Sequence, residues 1–387
     1  MSEDLQEVIV QIRDTVKKVC EEFPAEYWRA KDRERSYPKE FVDKLTELGL
    51  LASLIPEEYG GSGMPISIGV EILKAIHEFG GNAGACHAQM YTMGTVLRHG
   101  NDEQKQQYLP GIAAGDLRLQ AFGVTEPTAG SDTTNISTFA VRDGDRYIVN
   151  GQKVWTSRAE QSDLMILLAR TTPKDEVKKR TDGLSVFLID MREAQKNGMT
   201  INPLRTMINH STTEIFFDNL SIPASSLIGE EGKGLRYILS GMNAERILIA
   251  AECIGDARWF IQKSSDYARE RVVFGRPIGQ NQGIQFPIAR AFANTEAAEA
   301  ILDKAARLYE AGETSGTYAN MAKMLASEAS WEAADTCMQT HGGFAMAEEY
   351  DVERKFRECR LYRIAPISTN LILSYIAERE LELPRSY

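Results

Sequence analysis

Four short segments group residue types that can do chemistry. Phe122-Gly-Val-Thr-Glu-Pro-Thr-Ala-Gly-Ser-Asp132 combines small residues, hydroxyls and a proline. Such a loop can bring backbone N–H groups and the hydroxyls of Thr125 and Ser131 against a planar heteroaromatic or a pyrophosphate. Gly151-Gln-Lys-Val-Trp-Thr-Ser157 sets a tryptophan before two hydroxyl residues, a combination that can wall a flat ring system. In Arg269-Glu-Arg-Val-Val-Phe-Gly-Arg-Pro-Ile278, followed by Gln282, Arg271 lies just before a glycine and proline that break a helix. A guanidinium there can pair with phosphate through two parallel bonds. Gln339-Thr-His-Gly-Gly343 puts two glycines at the end of a helical run, where a ligand can approach the backbone closely. Taken singly, each has an ordinary alternative: a polar connection, a core tryptophan, a solvated arginine and a helix cap.

The elements that must position these segments fall into three zones. Residues 1–117 read as helical, with Leu5, Val8, Ile12, Val16 and Cys20 at helical spacing and Phe41, Leu45 and Leu48 repeating it. A turn-rich stretch, Pro56 to Pro65, interrupts them. In residues 118–230, Asp143-Gly144-Asp145 and Asn150-Gly151 are expected turns between antiparallel strands. Tyr147–Val149, Leu164–Ala169, Leu184–Asp190 and Thr213–Phe217 are expected strands of a β-barrel or sandwich. From 231 to 387 the helical period returns. Ile247, Ala250, Ile254, Ala257 and Ile261 form one stripe, and Ile288, Phe292, Thr295, Ala298, Leu302 and Ala305 another, as in a four-helix bundle.

Composition narrows the class. The chain has 387 residues, of which 43% are hydrophobic, enough to exclude a wholly disordered protein. Its net charge of −11 disfavours a nucleic-acid binder, and no apolar run approaches a membrane span. The five cysteines, Cys20, Cys86, Cys253, Cys337 and Cys359, are scattered without a CxxC pair. Neither a metal site nor a disulfide framework is expected. The opening MSEDLQEV does not look like a leader, so the expected location is cytoplasmic.

In this order and at these separations the segments resemble the acyl-CoA dehydrogenase family of flavoproteins. The resemblance covers nearly the whole chain. It includes Pro56-Glu57-Glu58-Tyr59-Gly60-Gly61, Val124–Pro127 with Gly130-Ser131-Asp132, and Asn150–Lys153. It also includes the run from Gly229 to Gly234, Glu270-Arg271 with Phe274-Gly275, and the Gly342-Gly343 pair. It implies a mainly α fold: an N-terminal helical domain, a central β-domain and a C-terminal four-helix bundle. It implies FAD as cofactor, contacted by Phe122, Val124, Thr125, Ser131, Trp155 and Ser157. Arg271, Phe274, Gln282, Gln339, Gly342 and Gly343 are implied to reach the FAD of a neighbouring subunit in a homotetramer built as a dimer of dimers. Ser368 and Asn370 complete the implied cofactor set.

Family chemistry removes an α-hydrogen of an acyl-CoA as a proton and the β-hydrogen as a hydride. It needs a carboxylate base and donors to the thioester carbonyl. Many relatives carry the base in a C-terminal loop. Here that loop reads Arg357-Glu-Cys-Arg-Leu-Tyr-Arg-Ile-Ala-Pro-Ile-Ser-Thr-Asn370, with Pro366 at the glutamate position. The isovaleryl-CoA type instead places the glutamate at the start of the helix opening the bundle, directly before an arginine. This chain reads Asn243-Ala-Glu245-Arg246 at what is expected to be a helix start, so Glu245 is the expected base; the ordinary alternative is a first-turn glutamate favoured by the helix dipole. Asn243, Arg246 and Ser131 are expected to contact substrate. Pro366 has no N–H for the carbonyl. That leaves three options: Ala365 or Ile367 donates, the substrate binds differently, or oxidation is slow. On the segment implied to line the acyl group, His87, Gln89 and Tyr91 are polar. A branched, cyclic or functionalised acyl group therefore suits it better than a long straight one. Arg158 departs from the small or amide residue expected after Trp-Thr-Ser. The implied electron acceptor is an electron-transfer flavoprotein. A reductase or oxidase of the same fold, or a non-catalytic FAD- or acyl-CoA-binding subunit, are the alternatives.

Overall fold

Leucine, isoleucine and valine at steps of three and four do form helices at the N-terminus. In the computed structural model, which describes residues 3–313 and 315–385, α1 (Glu3–Glu22) buries Val16, Val19 and Cys20 and packs against α4 (Ile66–Glu78). Between them lie α2 (Ala25–Glu34) and α3 (Lys39–Glu47). The last expected member of the α3 stripe, Leu48, is exposed, because the helix stops at Glu47 and Gly49 turns the chain through φ +70°. Two more helices follow, α5 (His87–His99) and α6 (Asp102–Ala114). Asn101 and Gln104 form a reciprocal capping box that starts α6.

The middle of the chain forms the expected β-domain, built on one eight-stranded mixed sheet. Its strands are β1 (Leu119–Gly123), β2 (Phe139–Asp143), β3 (Arg146–Ser157), β4 (Leu164–Arg170) and β5 (Leu184–Asp190). After the short α7 (Met191–Ala194) come β6 (Met199–Pro203), β7 (Thr212–Pro223) and β8 (Leu227–Ile228). The order is β6-β7-β3-β2-β4-β5-β8, with β1 parallel to β4. The continuous apolar run of β4 reflects burial on both faces. Leu164, Ile166 and Leu168 join one apolar cluster with α5 and α6, while Met165, Leu167 and Ala169 join a second with Tyr147, Val149, Ile215 and Phe217. Each buried leucine, isoleucine, valine, methionine or phenylalanine among them contributes about 1.5–3 kcal/mol through burial.

The turn expected at Asp143–Asp145 joins β2 to β3. The one expected at Asn150-Gly151 does not exist. Gly151 lies inside β3 with φ +146°, at a register shift against β7. A Cβ there would sit 2.6 Å from Thr138 Cα, so the glycine serves a bulge and a close backbone approach.

The C-terminal zone is helical: α8 (Gly234–Glu270), α9 (Gln282–Glu310), α10 (Gly316–His341), α11 (Val352–Arg360) and α12 (Thr369–Arg379). A two-stranded ribbon, β9 (Val272–Val273) with β10 (Arg276–Pro277), interrupts it between α8 and α9. Ile247, Ala250, Ile254 and Ala257 are buried as expected, whereas Phe292 of the α9 stripe is exposed.

The compact units cut across the three sequence zones. One unit comprises the residues before Arg35, the segment Pro65–Ala83 and everything from Asn243 onward; the other comprises Arg35–Met64 and Gly84–Met242. We call them the bundle unit and the sheet unit. No helix among the described residues is long and apolar enough to cross a membrane. None of the five cysteines is in a disulfide and all are buried, and no cluster among the described residues is composed to hold a metal ion.

Candidate active site

In the sheet unit the loop after β1 is tied to β3 by a buried ion pair. Lys153 Nζ donates to Glu126 Oε1 at 2.8 Å and to Val124 O at 3.0 Å, and Val154 N donates to Thr125 O at 2.9 Å. Glu126 also accepts from Ser137 N (2.6 Å), Ser137 Oγ (2.8 Å) and Thr138 N (2.9 Å). Burial works against the Glu126 carboxylate, but the Lys153 ammonium and these donors outweigh it and hold its pKa at about 2. Burial likewise pulls Lys153 down to about 8 despite its partner. The pair brings Val124 and Thr125 beside the strand that carries Trp155 and Ser157. Both residues stood inside recognised motifs, yet sequence reasoning gave them no role.

Trp155 is not a core residue. It is 61% exposed, with φ +61°, at the second register shift of β3. The strand therefore presents a bare indole to its surroundings. Two residues on, Ser157 Oγ accepts from Asn209 Nδ2 at 2.6 Å, so its own proton is free to donate. Arg158, also at positive φ, turns inward and donates to the Gly84 carbonyl just ahead of α5. Phe122 meets Tyr91 edge-on at 6.5 Å, and Tyr91 lies 5.7 Å from His87. Ser131 is exposed on the same loop as Thr125.

His87 and Tyr91 share a face of α5, four residues apart. Gln89 lies about 200° around from His87, on the side where Met93 and Val96 enter the apolar cluster. Its carboxamide is fully buried with no hydrogen-bond partner among the described residues. The expected trio therefore splits. The helical period separates the middle residue from its neighbours, a point that spacing alone already contained.

In the bundle unit, Arg271, Gln339, Gly342 and Gly343 line one depression of ≈ 520 Å³. Gly342 (φ +60°) ends α10, and a Cβ on either glycine would meet nothing within 4 Å. His341, whose pKa burial lowers, stacks on Tyr267 at 4.1 Å and forms one wall. The Arg271 guanidinium sits 5.4 Å over the Phe344 ring. Phe274 is 99% exposed, and Gln282 is exposed at the first position of α9. An open backbone cradle beside an arginine fits a phosphate-bearing cofactor, and the exposed indole of the sheet unit fits a flat ring.

Glu245 is 6% exposed and lies on α8. It is not a first-turn residue: α8 begins at Gly234, about three turns earlier, and the dipole effect fades within the first turn. The expected dipole support is therefore absent. Arg246 Nη1 donates to Asn243 Oδ1 at 3.0 Å, and its Nε is buried without a partner among the described residues. Burial lowers the Arg246 pKa, against the opposing charge of Glu245 and Tyr375. Ser368 caps α12, accepting from Leu371 N at 3.4 Å, and Asn370 is exposed in the first turn. The expected residues thus gather into two sets, one in each unit.

Profiles of the acyl-CoA dehydrogenase N-terminal, middle and C-terminal domains match residues 6–116, 121–220 and 232–381. The chain is 34% identical to acyl-CoA dehydrogenase FadE12 of Mycobacterium tuberculosis, over 97% of this chain and 96% of that one. It is 33% identical to cyclohex-1-ene-1-carbonyl-CoA dehydrogenase of Syntrophus aciditrophicus, over 91% and 84%. Among solved structures, the glutaryl-CoA dehydrogenase–glutaryl-CoA complex superposes with a TM-score of 0.90 at 30% identity, covering 100% and 97% of the two chains.

Proposed function

Since the chain belongs to the acyl-CoA dehydrogenase family, FAD-dependent oxidoreductases acting on acyl-CoA, we propose that it α,β-dehydrogenates a branched, cyclic or functionalised acyl-CoA with Glu245 as the base. The observation that carries this reading is a pairing. The loop from Leu361 to Asn370 holds no carboxylate, and Glu245 is a buried carboxylate directly before Arg246. Near the loop, Glu358 is engaged by Arg354 at 2.7 Å and Lys355 at 3.6 Å, which removes it as a substitute base.

Glu245 takes the α-proton, and bound FAD supplies the acceptor for the β-hydrogen and both electrons of the broken C–H bond. Thr125, Ser157 and the Trp155 indole hold and wall the ring system, on a loop fixed by Glu126–Lys153. Arg271, Gln339, Gly342 and Gly343 supply a guanidinium, an amide and open backbone for the phosphates of a neighbouring subunit's cofactor. Phe274, Phe286 and Phe292, all exposed in the single chain, suit burial between subunits of a homotetramer. His87 and Tyr91 meet the acyl group; Asn243, Arg246 and Ser131 meet the thioester and its nucleotide. Electrons then pass to an electron-transfer flavoprotein. The likeness to a cyclohexenecarbonyl-CoA dehydrogenase and to a glutaryl-CoA complex supports a cyclic or functionalised acyl group.

Anaerobic addition of a panel of acyl-CoAs to the purified holoprotein tests the reading. Bleaching of the flavin band by a cyclic, branched or functionalised member is the expected result. An intact spectrum with every thioester would overturn it, and turnover with oxygen alone would favour an oxidase.

A further inference from the structure

Pro366 cannot donate to a thioester carbonyl. Its neighbour Ala365 cannot either, because its N–H is bonded to Leu361 O at 3.0 Å, as is that of Ile364 at 2.9 Å. The next two N–H groups, of Ile367 and Ser368, have no partner among the described residues. One long-range bond fixes this stretch: Lys323 Nζ donates to Ile367 O at 2.8 Å. Lys323 is fully buried on α10, among Ala319, Ala322 and Ala326, and makes no ion pair with a carboxylate among the described residues. An uncompensated buried ammonium opposes stability, so its position calls for another reason. In a trans peptide the C=O and N–H point in opposite directions. A carbonyl held toward Lys323 therefore turns the Ser368 N–H to the opposite side of that peptide.

We propose that Lys323 is a positioning residue. By holding the Ile367 carbonyl it presents the Ser368 N–H group to the thioester carbonyl, in place of the donor lost at Pro366. The proposal rests on the acyl-CoA reading above. It also accounts for a lysine on the apolar stripe of α10, where hydrocarbon would pack without electrostatic cost. The groups facing the ammonium are Cys253 and Arg246 from α8, Arg363 from the turn after α11, and Glu328 on α10 itself. Burial pulls Lys323 to about 8 and pushes the Cys253 thiol well up, so Cys253 is neutral while the lysine titrates.

The test uses holoenzyme and acetoacetyl-CoA, a thioester whose acidic α-proton is lost to solvent without hydride transfer. Its enolate, measured by absorbance, reads stabilisation of the carbonyl oxygen directly. Lys323→Met should raise the bound probe's apparent enolisation pKa by about one unit, a tenfold loss of the size expected from misplaced donors. FAD content and melting temperature should be kept, and Lys323→Arg should restore most of the effect. Unchanged enolisation in a folded, flavin-loaded Met variant would overturn the proposal. A second measurement needs no variant. In the wild type, hydrogen exchange of the peptide spanning Ile364–Leu371 should slow on probe binding. No gain of protection there, with the probe bound, would equally overturn it. Failure of the wild type to bind acetoacetyl-CoA at all would instead bring down the acyl-CoA reading, and this proposal with it.

Discussion

Replacing Lys153 by methionine should unsettle the flavin loop through the buried carboxylate it leaves behind. The Glu126 carboxyl falls from 4.5 to about 2 in the folded protein, which at 1.36 kcal/mol per unit corresponds to about 3 kcal/mol. Because the folded value is the lower one, this stabilisation is complete above about 4.5 and is lost as pH falls toward 2. Lys153 moves the other way in energy. Its depressed value of about 8 means that the folded state is penalised below that pH and relieved as pH rises toward 10.5. The two partners thus shift in opposite senses energetically, and it is breaking the pair that is costly. Lys153→Met leaves Glu126 with only the donors from Ser137 and Thr138, at a cost of about 3–5 kcal/mol. It also removes the tie to Val124 O. We expect the melting temperature of the holoprotein to fall by roughly 4–6 °C, with FAD released earlier in the scan. Adding Glu126→Gln should recover more than half of the loss, since the stranded charge is gone. Differential scanning with flavin fluorescence on the wild type, both single variants and the double variant completes the cycle. A Met variant within about 1 kcal/mol of wild type, or a double variant no better than Lys153→Met, would refute the reasoning.

Arg271→Ala should weaken FAD binding by roughly 10- to 100-fold, the range of a charge-assisted contact, while leaving the apoprotein's melting temperature unchanged; equilibrium dialysis of FAD measures it. Phe292→Glu puts a charge on an exposed apolar position of α9 and should shift the protein from tetramer to smaller species by light scattering, with loss of FAD in proportion.

The helical period and the two-residue alternation made most elements legible before any coordinates. The runs at Leu164–Ala169 and Leu184–Asp190 become β4 and β5 with their expected ends near the mark. What the period does not carry is backbone strain and long-range pairing. Asn150-Gly151 has turn composition, yet the strand continues through it, because a register shift against β7 and the close approach of Thr138 need the same glycine. Trp155 looks like core, and only its positive φ, set by the register shift, turns it outward. Glu245 looked like a helix-start residue because the apolar stripe becomes regular only from Ile247, although the helix starts at Gly234. Lys153 and Lys323 carried a readable signal, a lysine among apolar neighbours, but their acceptors lie 27 and 44 residues away in the chain.

The central claim is that Glu245 takes the α-proton. Stopped-flow flavin reduction by the best acyl-CoA of the panel, comparing Glu245→Gln with wild type at matched FAD content, tests it most directly. The amide is nearly isosteric, so fold and flavin should be retained. Reduction should be abolished because an amide cannot accept the proton at neutral pH. Pro366→Glu in the same background would then report whether the C-terminal loop still reaches the α-carbon. Undiminished flavin reduction in Glu245→Gln alone would contradict the account.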